Sequence, residues 1–462
     1  MFRHITYVIT VLVVSAMFND TMAASPWQQA DKIVESIAAP NIPKQEFNIV
    51  DFGAQQRDGK NADTSGQPDA RPAILAAIKA ASAQGGGKVL IPAGHWYSKG
   101  PIHLKSNINL HLAKGAHLLF SPEPSDYLPA VKTRWEGTEV YSYSPLVYAA
   151  DVEDVAITGE GTIDGNANSK FIPWYKKAKP GYKKLRKMGA SGVPVEQRVF
   201  LEGEYLRPPL VQFFHAERVL LQDYKSINSP FWVTHLVYTN HAVVRGIKVD
   251  SHIGNNDGVD VESSSFVLIE DSWFRTGDDS VVIKSGRDLD GRTIGIPSTN
   301  IVVRNNDMGG EDGIGLGSEM SGGIKDVYFY DNILREGDSA FRFKANLDRG
   351  GVVENIYIKD FTVENFTNLF WFQLNYPREG KEKFPSLYKN IVIENIQVAE
   401  AKNVLEIHAP AEQPLVNVTF KNIEIKSFEQ LFNVENAKDI RFDNFIIGEQ
   451  RLDGTLTWSQ QP

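Results

Sequence analysis

The sequence predicts an all-β solenoid, a single-stranded parallel β-helix with a short N-terminal capping helix. Three observations predict it. From about residue 150 a short phrase recurs: DVAITGEGTIDG from Asp154, RVLLQDYKSINS from Arg218, HAVVRGIKVDS from His241 and SFVLIEDSWFRTGDDS from Ser265. Variants of it then start at Asn300, Asp326, Asn355, Asn390, Asn417 and Asp439. From Arg218 onward these starts lie 22 to 35 residues apart, the period of a structure that stacks coil on coil. Second, each unit reads as two short alternating apolar strands split by a polar or Gly corner, with few helical stretches and no propeller-blade signature. Third, Asn or Asp opens most units, as expected of turn residues that stack into a hydrogen-bonded ladder.

The elements follow in chain order. In MFRHITYVITVLVVSAMFNDTMAAS, Arg3 and His4 precede an apolar run from Ile5 to about Phe18, and small residues end at Ala23-Ala24. This pattern predicts a signal peptide over 1–24 and export to the periplasm or the exterior. As a membrane anchor the run is short, and Asn19-Asp20 ends it, so no membrane association is expected after cleavage. Residues 25–462 then form one domain. DARPAILAAIKAASAQGGG supplies the cap, with Asp69 as N-cap and Gly85–Gly87 as the stop. GGGKVLIPAG and INLHLAKGAHLLF open the first coils. WYKKAKPGYKKLRKMG, residues 174–189, interrupts the repeat with seven basic residues. Charge patterning alone does not separate a solvated insertion from a cleft rim that meets an anionic polymer.

Composition bounds the rest. The 462 residues are 42% hydrophobic and 23% charged, a globular balance. There is no cysteine, hence no disulfide frame and no thiolate metal site. Stability must come from core burial. A net charge of −9 argues against a nucleic-acid partner.

The chemistry concentrates in RTGDDSVVIKSGRD, residues 275–288, where Asp278 and Asp279 stand side by side in a strand that should disfavour them. Asp257, in GNNDGVD, lies 21 residues earlier, about one coil. Neighbouring coils sit roughly 4.8 Å apart, so the three carboxylates should cluster. Two coils on, Arg342 and Lys344 in FRFKAN alternate onto the same side. Crowded carboxylates hold a proton among them, which supplies an acid near neutral pH, and a second carboxylate can activate water. The cations suit a substrate carboxylate. The bland alternative is a turn with a surface ion network.

GNNDGVD, TGDDSVVIKSGRD, GLGSEMSGG and FRFKAN, in this order, resemble the signature blocks of glycoside hydrolase family 28, the polygalacturonases. The resemblance runs from FNIVDFGA to at least Asn375, and TRWEGTEVYSYSPLVYA and YLRPPLVQF look like its bacterial exo-acting branch. It implies a right-handed parallel β-helix and inverting hydrolysis of α-1,4-galacturonan without a cofactor or metal. It casts Asp278 as general acid, Asp257 and Asp279 as the pair that activates water, and Arg342 and Lys344 as the holders of the galacturonate carboxylate. Asn255 would shape the subsite, and the family tyrosine falls at or near Tyr376. One block departs. Where the family has GHG, this chain has Glu311-Asp312-Gly313, so Asp312 stands at the histidine position. A carboxylate there should raise the acid's pKa and repel a uronate. The expectation is therefore a polygalacturonase-like hydrolase of a modified or different glycan, or else a weak or inactive relative.

The remaining histidines, His95, His215, His241 and His408 among them, show no metal-ligand motif. His235, one coil before Asp257, is placed within reach of the substrate. Two rival readings share the sequence. A polysaccharide lyase would use the aspartates to hold Ca²⁺. A non-catalytic glycan-binding solenoid would expose Trp135, Trp174, Trp232 or Trp371 as stacking platforms. Insertions at 121–150 and 166–207 should wall off the groove and favour exo action.

Overall fold

A computed structural model describes residues 25–58, 64–167, 170–380 and 383–458. The predicted signal peptide lies outside the described residues. The chain forms a parallel β-helix whose strands join one 24-stranded hydrogen-bonded sheet system. Each coil carries three strands, not the two read from the sequence. Thr234–Val237, Asn240–Arg245 and Lys248–Ser251 make one coil. They pair in parallel with Val259–Glu262, Ser265–Glu270 and the first part of Trp273–Lys284. The third strand was hidden because corners of one or two residues leave the apolar alternation nearly unbroken.

Those corners explain the Asn and Asp that open the units. Asn300, Asp326, Asn355, Asn390, Asn417 and Asp439 all have φ between 55° and 59°. This left-handed conformation costs most L-residues free energy, and Asn and Asp tolerate it best after Gly. Their side chains then stack. Asn355 donates to Asp326 at 2.9 Å, Asn390 to Asn355 at 3.5 Å, and Asn417 to Asn390 at 2.8 Å.

Inside the coils, apolar side chains form columns. Ile283, Leu316, Phe343, Phe372 and Ile407 are fully buried and follow one another in register. The Phe343 and Phe372 rings stack 4.1 Å apart. Each such side chain contributes roughly 1.5–3 kcal/mol through burial, in a chain with no disulfide to help.

Among the described residues, five α-helices decorate this core. Helix α1 (Pro26–Ser36), which the sequence reading did not separate, starts with a Ser25–Gln28 capping box. It buries Ala30 and Ile33 on the outside of the coils against Leu268, Val302 and Tyr328. Helix α2 (Arg71–Ala83) is the expected cap, with Ala73, Ile74, Ala77, Ile78 and Ala81 buried. Asp69 is not its N-cap, because Ala70 holds that position. The Asp69 carboxylate instead accepts from the Arg71 and Lys99 amides, tying the helix start to the first coils. The basic run folds into α3 (Phe171–Lys177) and α4 (Lys179–Ala190). A short α5 (Asp288–Ile294) follows the strand that bears Asp278 and Asp279.

Candidate active site

Strand register builds the site. Gly258 N–H donates to the Asp279 carbonyl, and Val259 faces Val281, so Asp257 is in line with Asp279 and not with Asp278. One coil on, Asp279 faces Asp312, then Ser339 and Asn368 continue the column. Asp278 sits one residue earlier, at an irregularity in the pairing. The offset turns it toward the surface: Asp257 and Asp279 are buried, whereas Asp278 is half-buried. One oxygen from each of the three carboxylates lies within 4.8 Å of the other two. Gly315 makes room, since a Cβ there would lie 2.7 Å from Asp279 Oδ1.

Burial, and next the Asp278 charge, holds the Asp257 carboxyl well above the usual range, against the pull of Lys284. Burial and Asp279 raise Asp278 in the same way. Burial and mutual repulsion thus both favour the protonated form of Asp257 and Asp278, and Asp278 is the most accessible member of the cluster. The Asp279 amide donates to Asp278 Oδ1 at 3.0 Å, and Asn255 Nδ2 lies 3.5 Å from Asp278 Oδ2. Arg207, clamped between the Tyr175 and Phe231 rings, donates to Asn255 Oδ1 at 2.7 Å and sets that amide's orientation.

Lys344 Nζ donates to Asp279 Oδ2 at 2.5 Å, and Lys284 Nζ lies 3.7 Å from Asp257 Oδ2. Two ammonium groups thus already compensate the carboxylates, so the charge a Ca²⁺ would neutralise is met from within the chain. Arg342 projects beside Lys344, as alternation requires. Its Nη1 donates to Asp312 Oδ2 at 2.6 Å and its Nη2 to the Tyr376 hydroxyl at 3.0 Å. The guanidinium lies 4.5 Å over the Trp371 ring. The three aspartates, Lys284, Arg342, Lys344 and Tyr376 line a cavity of about 340 Å³ with Trp232, Glu311 and Ser318.

Three comparisons bear on this geometry. Residues 130–446 match the model of the glycosyl hydrolases family 28. The chain belongs to this family. The family 28 chain is 37% identical to a hyperthermoactive exopolygalacturonase from Thermotoga maritima, whose crystal structure superposes with a TM-score of 0.86 over 94% of this chain and 99% of that one. A probable polygalacturonase from Vitis vinifera is 29% identical over 82% of this chain and 74% of its own. An exo-poly-α-D-galacturonosidase from Dickeya chrysanthemi is 26% identical over 89% and 68%.

Most of the residues expected from the family 28 blocks converge: Asp257, Asp278, Asp279, Asn255, Arg342, Lys344 and Tyr376 all line the cavity. Two expectations need correction. His235 is fully buried and does not reach the groove. It is hydrogen-bonded between Gln212 (2.9 Å) and Glu262 (2.8 Å), and burial lowers its pKa. The hairpin Val131–Trp135/Thr138–Ser142 covers that face, with Thr133 bonded to Gln212 and Arg134 lying 3.5 Å from Glu262. Asp312 is also buried, at 1% exposure, and spends its carboxylate on Arg342 and the Ser339 amide, so it does not face a substrate directly. Its neighbour Glu311 lines the cavity.

The wall of the cavity came from residues that sequence reasoning missed. Arg186 of α4 bonds Glu136 of the hairpin and, at 2.5 Å, Glu379 of the segment after Tyr376. Arg287 joins Glu379 at 2.8 Å and Glu319 at 2.9 Å. The basic run is thus part of the cavity and not only a solvated face. The Trp residues divide. Trp135 is buried against Phe231 and Tyr182, while Trp232 lines the cavity under Lys284.

Proposed function

We propose that this family 28 chain is an exported, exo-acting, inverting hydrolase of α-linked galacturonan or a related uronate-containing glycan. The observation that carries it is the cluster of Asp257, Asp278 and Asp279, with Lys344 and Lys284 against it, in a cavity walled by the Arg186–Glu136–Glu379 ion pairs. Asp278, half-buried and with its pKa raised by burial and Asp279, donates to the leaving oxygen. Asp279, ion-paired to Lys344, takes a proton from the attacking water, which it shares with Asp257. Asp279 Oδ1 and Asp257 Oδ1 have no hydrogen-bond partner among the described residues, which suits a shared water. The wall admits a chain end and stops a chain passing through, and the exo-acting relatives from Thermotoga and Dickeya support that mode.

The carboxylate spacing bears on stereochemistry. Inverting enzymes usually separate acid and base by about 6.5–9.5 Å and retaining enzymes by about 5–5.5 Å. The contact within 4.8 Å would favour retention if only two carboxylates were present. Here two of the three can hold one water, and Lys344 ties Asp279 in place of a free nucleophile. Proton NMR of the first product decides: the β-anomer is expected, and the α-anomer would replace inversion by retention.

The primary test incubates the protein with polygalacturonate, rhamnogalacturonan and their oligomers and resolves products by mass. Saturated mono- or disaccharide is expected from the start, and Asp278→Asn should lower the rate by about 10²–10⁴-fold. An unsaturated, ultraviolet-absorbing product abolished by EDTA would establish a lyase instead.

A further inference from the structure

The two cations that the family resemblance assigns to a substrate carboxylate are both engaged within the protein. Arg342 spends Nη1 on Asp312 and Nη2 on Tyr376, and its Nε is buried without a partner among the described residues. Lys344 is 8% exposed and bonded to Asp279. Glu311, by contrast, lines the cavity, and its carboxylate has no hydrogen bond or ion pair to any described residue. Thr276 pairs with Gly310 and Asp279 with Asp312, so Glu311 lies in the next coil opposite the irregular step that holds Asp278, beside the acid. An acid stands next to the oxygen it protonates, so Glu311 faces the departing sugar. A uronate there would meet Glu311 and, behind it, an Asp312–Arg342 pair with no net charge to offer.

We propose that the leaving-group subsite takes a sugar carrying no charge at C5, and that Glu311, backed by the Asp312–Arg342 pair, is the element that selects it. This rests on the hydrolase reading above and names the substrate class of that site. An uncharged residue offers hydroxyl donors to the open Glu311 carboxylate, while a charged one meets like charge there, a penalty that sets the choice.

Three disaccharides test it, each with galacturonate as the non-reducing unit α-1,4-linked to galacturonate, to methyl galacturonate or to galactose. The two uncharged leaving groups should give kcat/KM at least about tenfold above digalacturonate. Preference for the ester would identify methylated pectin as the source, and preference for galactose a neutral sugar. Glu311→Gln, a substitution at an exposed position, should raise kcat/KM on digalacturonate and shrink the ratio severalfold. Equal or better turnover of digalacturonate by the unaltered enzyme would overturn the proposal while leaving the hydrolase reading intact. A ratio unmoved by Glu311→Gln, in protein with unaltered thermal unfolding, would remove Glu311 as the selector. Cleavage of none of the three, or of any polymer, would sink the hydrolase reading and this one with it.

Discussion

Burial, with Asp278 and Asp312 beside it, pushes the Glu311 carboxyl up to about 7, and Arg342 only partly opposes the shift. Asp279, from the neighbouring strand, adds to it. The sign is then fixed. Below that pH Glu311 is neutral and tolerates a uronate; above it the carboxylate repels one. Discrimination against digalacturonate should therefore grow between pH 6 and 8, and Glu311→Gln should flatten the profile of the kcat/KM ratio. A ratio independent of pH in the unaltered enzyme would contradict this. At this scale the sequence was most legible where chemistry and period coincide. The paired aspartates, Asp257 and the alternating Arg342 and Lys344 needed only coil spacing and strand alternation. His235 was misread because a hairpin from a hundred residues earlier covers its face, and spacing within the repeat carries no trace of that cover. Glu311 was missed because attention went to its neighbour, and only the register shows which of the pair turns outward.

Among elements, α4 and the corner ladders make the clearest demands. Arg186 was unreadable within its basic run, because nothing local distinguishes it from the exposed lysines around it. In the structure it links helix, hairpin and the turn at Glu379. Arg186→Ala should loosen that wall and shift products of polygalacturonate from small units toward a ladder of intermediate oligomers, seen by mass early in digestion. An unchanged product pattern would mean the wall stands without it. The ladders predict a stability effect. Asn390 has φ 56° and bonds Asn355 and Asn417. Asn390→Ala should cost about 1.5–3.5 kcal/mol, combining roughly 1–2 for the left-handed backbone and about 0.5–1.5 for the lost bonds. Asn390→Gly should cost less, because it keeps the conformation and loses only the bonds. Urea unfolding midpoints of the two variants separate these contributions.

For the whole molecule, each coil touches only its neighbours, so stability should fall toward the less buried end. Residues 427–435 are half-exposed or exposed along their whole length, whereas the strands around Asp257 and Asp279 are almost fully buried. Amide exchange should be fastest over 427–458 and slowest across 259–346, and uniform protection would argue for all-or-none opening. The last strand behaves unlike the others. Gln450–Trp458 turns back and pairs antiparallel with Ala437–Ile447. Every other coil offers its successor a parallel template, and a template left open can recruit a second molecule and grow into a filament. The reversed strand occupies part of that template with a partner of the wrong polarity, and the uncovered stretch beside it carries Glu429 and Glu435.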